Sequence, residues 1–527
     1  MLQLINKKKI YFYLISFLFL STISNNHYVN GFKKNFLINK IDIQIDRTYL
    51  KKIISQNAKF LLNNNILSIN SEILKNKFNL NSIRQLYDNS SLTPSDLINE
   101  CYERIEKDSK DKIWISLRRR SEAIKIAELV STSSRKNKPL WGIPFSVKDN
   151  IDVEGLATTA ACPKYSYFPE QSSPVVQALE NAGAICLGKT NLDQFATGLN
   201  GTRSPYGVCT SAFNDEYISG GSSSGSALSV AKKQVCFSIG TDTGGSGRIP
   251  AAMNNIIGLK PTKGTLSTKG FVPCCPSLDC PSVFALSVKD ALEIAHIAFS
   301  DSKKDETLRY DFQRGNFQIQ KIKERIKIRV PEYKQRNFFG NKEARRLYEN
   351  LLEKLQEDDI EIITIDFAMF LEAGRMLFDG PWVAERYSSL YKFLIKNKNA
   401  VLDTTLKILE NGQKWSGKDV FKAQERVKEI QYFLESEIGF NEFLMTPTVG
   451  LLCKISDLKK DPIGLNSNLG YYSYFANILD LSGISIPATF YKNGMPFGVT
   501  IFGKAFEDSK VGFVAETLLK NFPIHQE

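Results

Sequence analysis

Histidine is almost missing from this chain. Its 527 residues hold only His27, His296 and His525, two of them near the ends. His296 sits in VKDALEIAHIAFS, where apolar residues recur at helical spacing, and reads as a residue of an ordinary helix. A serine nucleophile activated by histidine and a carboxylate is therefore not expected. Nine cysteines, an odd number, lack the paired spacings of a zinc site or a disulfide framework. Cys274 and Cys275 are adjacent, with Cys280 close by, and all nine read as free buried thiols of a reducing compartment. With no cluster of His, Cys or carboxylate ligands, neither a metal nor an organic cofactor is implied.

Acidic residues are scarce at the N-terminus. Through residue 60 there are ten basic residues against Asp42 and Asp46, so most of the formal charge of +12 lies there, and the other 467 residues carry only +4. The folded body thus gives no electrostatic reason to bind nucleic acid. Hydrophobic residues make up 43% and charged residues 24%, the balance of a soluble globular protein able to bury a sizeable core.

The first residues read as an address. KKKIYFYLISFLFLSTIS sets three lysines before a mostly apolar run, Ile10 to Ser24, which fits residues 1–24 as a signal peptide and is short for a membrane span. The basic, Asn- and Lys-rich stretch 25–84 extends it into a bipartite signal for the secretory system and, within it, a plastid. The competing expectation is an uncleaved anchor over residues 10–24. The catalytic body is placed at 85–527.

Within the body, SLTPSDLINECYERIEKD starts a helix with Thr93 as N-cap and Pro94 in the first turn. SPVVQALENAGAICLGKTN gives a helix ending near Gly183 and a strand over 184–187, GSALSVAKKQ another helix, and IKIRVPE and IEIITIDF strands around the helix NKEARRLYENLLEKLQED. With no internal repeat and no long linker, this alternation points to a single α/β domain, a large central sheet covered by helices on both faces.

Gly183 to Thr190, GAICLGKT, satisfies the phosphate-loop pattern. That pattern needs a loop around phosphates and a helix beginning at the lysine. Here Ala184 to Leu187 read as a buried strand, so a nucleotide-binding protein is the disfavoured alternative.

Three other stretches carry chemistry together: WGIPFSVKDNID, SGGSSSGSA and GTDTGGSGRIP. Glycines let backbone N–H groups approach a substrate as an oxyanion hole requires. A lysine can act as base if burial lowers its pKa by roughly three units from about 10.4, and the apolar WGIPFSV before Lys148 suits that burial.

In this order and spacing the three stretches resemble the signature of the amidase signature family of serine hydrolases, and the similarity extends over most of residues 90–515. The resemblance implies a mixed-sheet α/β amidase fold and a Ser-Ser-Lys triad. Ser246 would attack the amide carbonyl, and Ser222 would pass the proton to neutral Lys148. The backbone N–H groups of Thr243, Gly244, Gly245 and Ser246 would hold the oxyanion, and water would cleave the acyl-enzyme. Asp242 and Arg248, flanking the nucleophile, are expected to scaffold its loop.

For the substrate, PCCPSLDCPSVFALSVKDA, FDGPWVAERYSSL and DPIGLNSNLGYYSYFANILDLSGISIPA are most similar to the amidase domain of allophanate hydrolases. In that subgroup an arginine matching Arg386 grips the substrate carboxylate, the alternative being an arginine on a helix surface. Two departures stand against it. Phe378 replaces the subgroup's tyrosine, and a second, C-terminal domain common in the subgroup is not seen after GMPFGVTIFGKAFEDSKVGF. The runner-up is the glutamine-hydrolysing A subunit of an organellar glutamyl-tRNA(Gln) amidotransferase, whose amino-group-binding aspartate falls near Gly470, where there is no acid. The expected partner is thus a small-molecule amide; partner subunits belong to the amidotransferase reading, and a homodimer is left open.

A reporter fused to residues 1–80 is expected to enter the secretory system. Its retention in the cytosol, seen by microscopy, would contradict the targeting expectation.

Overall fold

The strand signals resolve into one mixed sheet. The computed structural model describes residues 78–299, 305–309, 317–358, 360–439 and 441–522; the targeting expectations for 1–24, and for 25–84 up to residue 77, lie outside them. Eleven strands run β1 (Trp114–Leu117), β2 (Pro144–Lys148), β3 (Ile185–Thr190), β4 (Phe237–Thr241), β5 (Ile257–Lys260), β6 (Pro281–Ala285), β7 (Lys327–Pro331), β8 (Glu361–Ile365), β9 (Glu442–Pro447), β10 (Ser482–Phe490) and β11 (Pro496–Gly503). Their order across the sheet is β1-β3-β2-β4-β6-β5-β10-β11-β9-β7-β8. β2 is parallel to both β3 and β4, and β7 to both β8 and β9, while the remaining pairs are antiparallel.

Every residue of β2 to β6, β9 and β11 is buried. A sheet open on one face would expose alternate side chains, so helices cover both faces here. The partly exposed strands β1 and β8 are the short edges. At the centre, Phe145 of β2 stacks on Phe237 of β4 with ring centroids 5.1 Å apart.

Local signals act as their chemistry dictates. Thr93 caps the helix Pro94–Lys107 in a reciprocal box with Asp96. His296 lies on the helix Val288–Ala298. All nine cysteines are free and buried. The strand expected over 184–187 runs instead over Ile185–Thr190, because its polar end is also buried with partners. Lys189 pairs with Asp149 at 3.3 Å, and Thr190 shares a hydrogen bond with Ser226. The GKT of the phosphate-loop pattern is thus strand, and no helix begins at Lys189.

The packed body also reaches back before residue 85. The helix Leu80–Asp88 buries Leu80, Ile83, Leu86 and Tyr87, and the Leu80 N–H donates to Asp290 at 3.1 Å. Its apolar spacing is hidden in an Asn-rich stretch. We expect Phe237→Ala, which opens a cavity at the β2–β4 junction, to lower the unfolding free energy in urea by about 3–5 kcal/mol; a loss below about 1 kcal/mol would mean the pair is not part of the core.

Candidate active site

β2 and β4 run side by side in parallel, with Val147 opposite Ile239, so Lys148 and Thr241 emerge together at their C-terminal ends. Open α/β sheets bind ligands outside such strand ends. The segment before β4 brings in Ser222, just ahead of the helix Ser224–Ala231, and the loop after β4 brings in Ser246, just ahead of the helix Ile249–Met253.

The three residues singled out in the sequence meet there. Lys148 Nζ lies 2.7 Å from Ser222 Oγ, and Ser222 Oγ lies 3.0 Å from Ser246 Oγ. All three are buried. The peptide bond between Gly221 and Ser222 is cis. Burial lowers the Lys148 pKa to about 7, against the opposing pull of Cys274, Asp193, Asp279 and Asp242. At neutral pH a large share of this amine therefore carries a lone pair. Hydroxyl hydrogens rotate, so the same separations allow Ser246 O–H to donate to Ser222 and Ser222 O–H to Lys148.

Sequence reasoning missed the second oxygen on the lysine, Thr241 Oγ1, at 2.6 Å. A neutral Lys148 that donates one hydrogen to Thr241 can turn its lone pair toward Ser222. The only sequence signal was its position, five residues before Ser246 at the end of a strand.

Asp242 and Arg248 form a fully buried bidentate pair, Nε to Oδ2 at 2.8 Å and Nη2 to Oδ1 at 2.9 Å. The same carboxylate accepts the N–H groups of Gly245 (2.7 Å) and Gly247 (3.0 Å), so it winds the nucleophile loop around itself. Burial alone would raise the Asp242 pKa, but the Arg248 guanidinium and these donors hold it below its ordinary value. This wrapping corrects one expectation. The Gly245 N–H is directed to Asp242 and is not free to serve as the oxyanion donor expected of it.

Distant segments hold the rest of the loop. Ser473 Oγ donates to the Gly244 carbonyl (2.8 Å), Arg248 donates to the Ser473 carbonyl (3.1 Å), and Asn477 donates to the Asp242 carbonyl (2.6 Å). A β-carbon on Gly245, where φ is +133°, would overlap Ser473 Oγ. Asp279 accepts from the Thr243 hydroxyl (2.5 Å) and from the N–H groups of Cys274 (2.8 Å) and Cys275 (3.1 Å), tying the nucleophile loop to the double-cysteine segment. These partners lie too far along the chain for local patterns to reveal them.

Arg386, on the helix Trp382–Asn397, is fully buried, which removes the helix-surface alternative. Its guanidinium sits 4.5 Å from the Phe378 ring centroid, and its Nη2 is 3.9 Å from Cys275 Sγ. Among the described residues, Nε and Nη1 have no hydrogen-bond partner, and no carboxylate is within ion-pair distance. Phe378 ends the helix Ala368–Phe378, and its Cε2 lies 3.2 Å from where a Gly244 β-carbon would stand. One ring thus separates the unpaired guanidinium from the oxyanion loop. Among the described residues no group of three or more His, Cys, Asp or Glu could hold a metal ion.

Comparison with known proteins agrees with this geometry. A family model described as Amidase matches residues 96–511. Urea amidolyase of Saccharomyces cerevisiae is 42% identical over 424 residues, which is 78% of this chain but 22% of that protein. The chain therefore spans about a fifth of the length of that relative. A glutamyl-tRNA(Gln) amidotransferase subunit of Lactobacillus johnsonii is 29% identical over 85% of this chain and 97% of its own length. Among solved structures, allophanate hydrolase of Kluyveromyces lactis superposes with a TM-score of 0.79 at 38% identity, covering 85% of this chain and 74% of that one.

The pH response of Ser246 follows from the lysine. Protonated Lys148 cannot accept a proton, so labelling of Ser246 by a fluorophosphonate should rise with pH through about 7. Lys148→Arg, which stays charged, should slow labelling about 10⁴-fold. A pH-independent rate would remove Lys148 from the relay.

Proposed function

The chain belongs to the amidase family, and from that membership we propose that it hydrolyses the carbon–nitrogen amide bond of a small carboxylate-bearing substrate, as allophanate hydrolase does, and releases ammonia. The observation that carries this reading is the buried guanidinium of Arg386, with two nitrogens unpartnered and no carboxylate within ion-pair distance among the described residues. A charge removed from water without a partner is costly, and a planar carboxylate is the ligand that a guanidinium fork complements.

In this reading Ser246 Oγ attacks the carbonyl carbon as its proton moves to Ser222 and the Ser222 proton moves to Lys148. The negative oxygen that forms is met by the free amides of Thr243, Gly244 and Ser246. The relay then runs backwards, the carbon–nitrogen bond breaks, and ammonia leaves with the returned proton. Water, deprotonated through the same relay, cleaves the Ser246 ester and restores the hydroxyl.

One observation bears on the glutamine alternative. A β-carbon on Gly470 would overlap the Tyr474 ring, so an aspartate could not stand there without displacing that ring. This counts against glutamine, whose amino group would need an acid near that position.

Ammonia release should be measured with allophanate, glutamine and a simple aliphatic amide, taking Ser246→Ala as blank. Allophanate turnover is expected, and Arg386→Gln should raise its KM on the order of 10- to 100-fold, the loss of a charge-assisted hydrogen bond. Turnover of glutamine alone, or of nothing until a partner protein is added, would shift the protein to the amidotransferase reading.

A further inference from the structure

Tyr474 has no role in the relay, yet it borders Phe378, Gly244 and Gly470. Its ring centroid lies 4.1 Å from that of Phe378, the ring on which Arg386 rests. Its Cδ1 is 3.1 Å from where a Gly244 β-carbon would stand, beside Leu377 Cδ2 at 2.7 Å and Phe378 Cε2 at 3.2 Å. Its distal edge covers Gly470. These three side chains make a continuous apolar wall against the oxyanion loop.

The wall is held at both ends. The Tyr474 hydroxyl donates to the Asn466 carbonyl at 3.2 Å and accepts from Asn466 Nδ2 at 3.4 Å. Asn466 Oδ1 in turn receives the Leu199 N–H and Asn200 Nδ2, both at 2.8 Å. At the other end the preceding residue, Ser473, bonds Gly244. The ring cannot swing aside without breaking its two hydrogen bonds to Asn466.

We propose that Tyr474 is a specificity-determining residue, its pinned ring closing the acyl end of the pocket so that only short substrates reach Ser246 with their carboxylate on Arg386. The proposal rests on the amidase reading above and adds the size limit. The ring acts through its volume; the hydroxyl serves to anchor it.

The test compares wild type, Tyr474→Phe and Tyr474→Ala for kcat/KM on allophanate and on straight-chain amides from acetamide to hexanamide, with Ser246 labelling by a fluorophosphonate as the check of an intact relay. Tyr474→Phe should keep the chain-length order. Tyr474→Ala should raise the hexanamide-to-acetamide ratio by about tenfold or more, the range in which a few methylenes in an apolar pocket count, and should raise KM for allophanate more than it lowers kcat. If Tyr474→Ala does not fold, Tyr474→Leu reads the same ratio with a smaller loss of volume. An unchanged order in a variant that still labels would overturn the proposal. So would a Tyr474→Phe enzyme altered as much as Tyr474→Ala, since that would place selection in the hydroxyl. Absence of allophanate turnover in wild type would overturn the substrate reading alone, because the amide ratio still reports on the wall.

Discussion

The site depends on keeping the Lys148 amine out of water. In solution that group would be protonated at neutral pH and useless as a base. Cys274 and three buried carboxylates nearby, Asp193, Asp279 and Asp242, pull the other way and favour its protonated form. Asp242 faces Arg248 and two backbone N–H groups, Asp279 faces the Thr243 hydroxyl and the amides of the double-cysteine segment, and Asp193 accepts the amides of Asn200, Gly201 and Arg203. Each carboxylate is engaged in shaping a loop, and desolvation outweighs their combined pull on the lysine.

The same carboxylates explain why a loop rich in glycine holds one geometry. Glycine gives the nucleophile loop its close approaches but supplies no side chain to fix them. Fixation comes from Asp242 inside the loop and from Ser473 and Asn477 outside it. The second pair comes from the segment just before β10, so the geometry of the loop depends on contacts from far along the chain.

This division marks what the sequence shows and what it hides. The helix at Pro94 and the strands around 326–332 and 361–365 follow from caps and periodicity, and the meeting of Lys148, Ser222 and Ser246 is what the resemblance of three short motifs to the amidase signature implies. Thr241, Asp279 and Ser473 follow from neither, since each is an ordinary polar residue made functional by strand register or by a partner far along the chain. The Gly245 amide shows the limit from the other side. A run of glycines suggests a row of donors, but the folded loop directs one of them to Asp242. That the helix Leu80–Asp88 belongs to the packed body is hidden because the asparagines in and around it make it look like the low-complexity stretch before it.

Selectivity rests on an exchange of contacts around Phe378. Without a phenol hydroxyl at that position, the ring can offer the substrate only its face and edge, and its face carries the Arg386 guanidinium. In the proposed reading, recognition of an anion then falls on Arg386, whose two unpartnered nitrogens would make a bound carboxylate electrostatically favourable. A lone guanidinium fixes the carboxylate end but measures no length. In the proposal above, length is measured at the other boundary, by the Tyr474 ring seated over a glycine that admits no side chain and against the Phe378 ring.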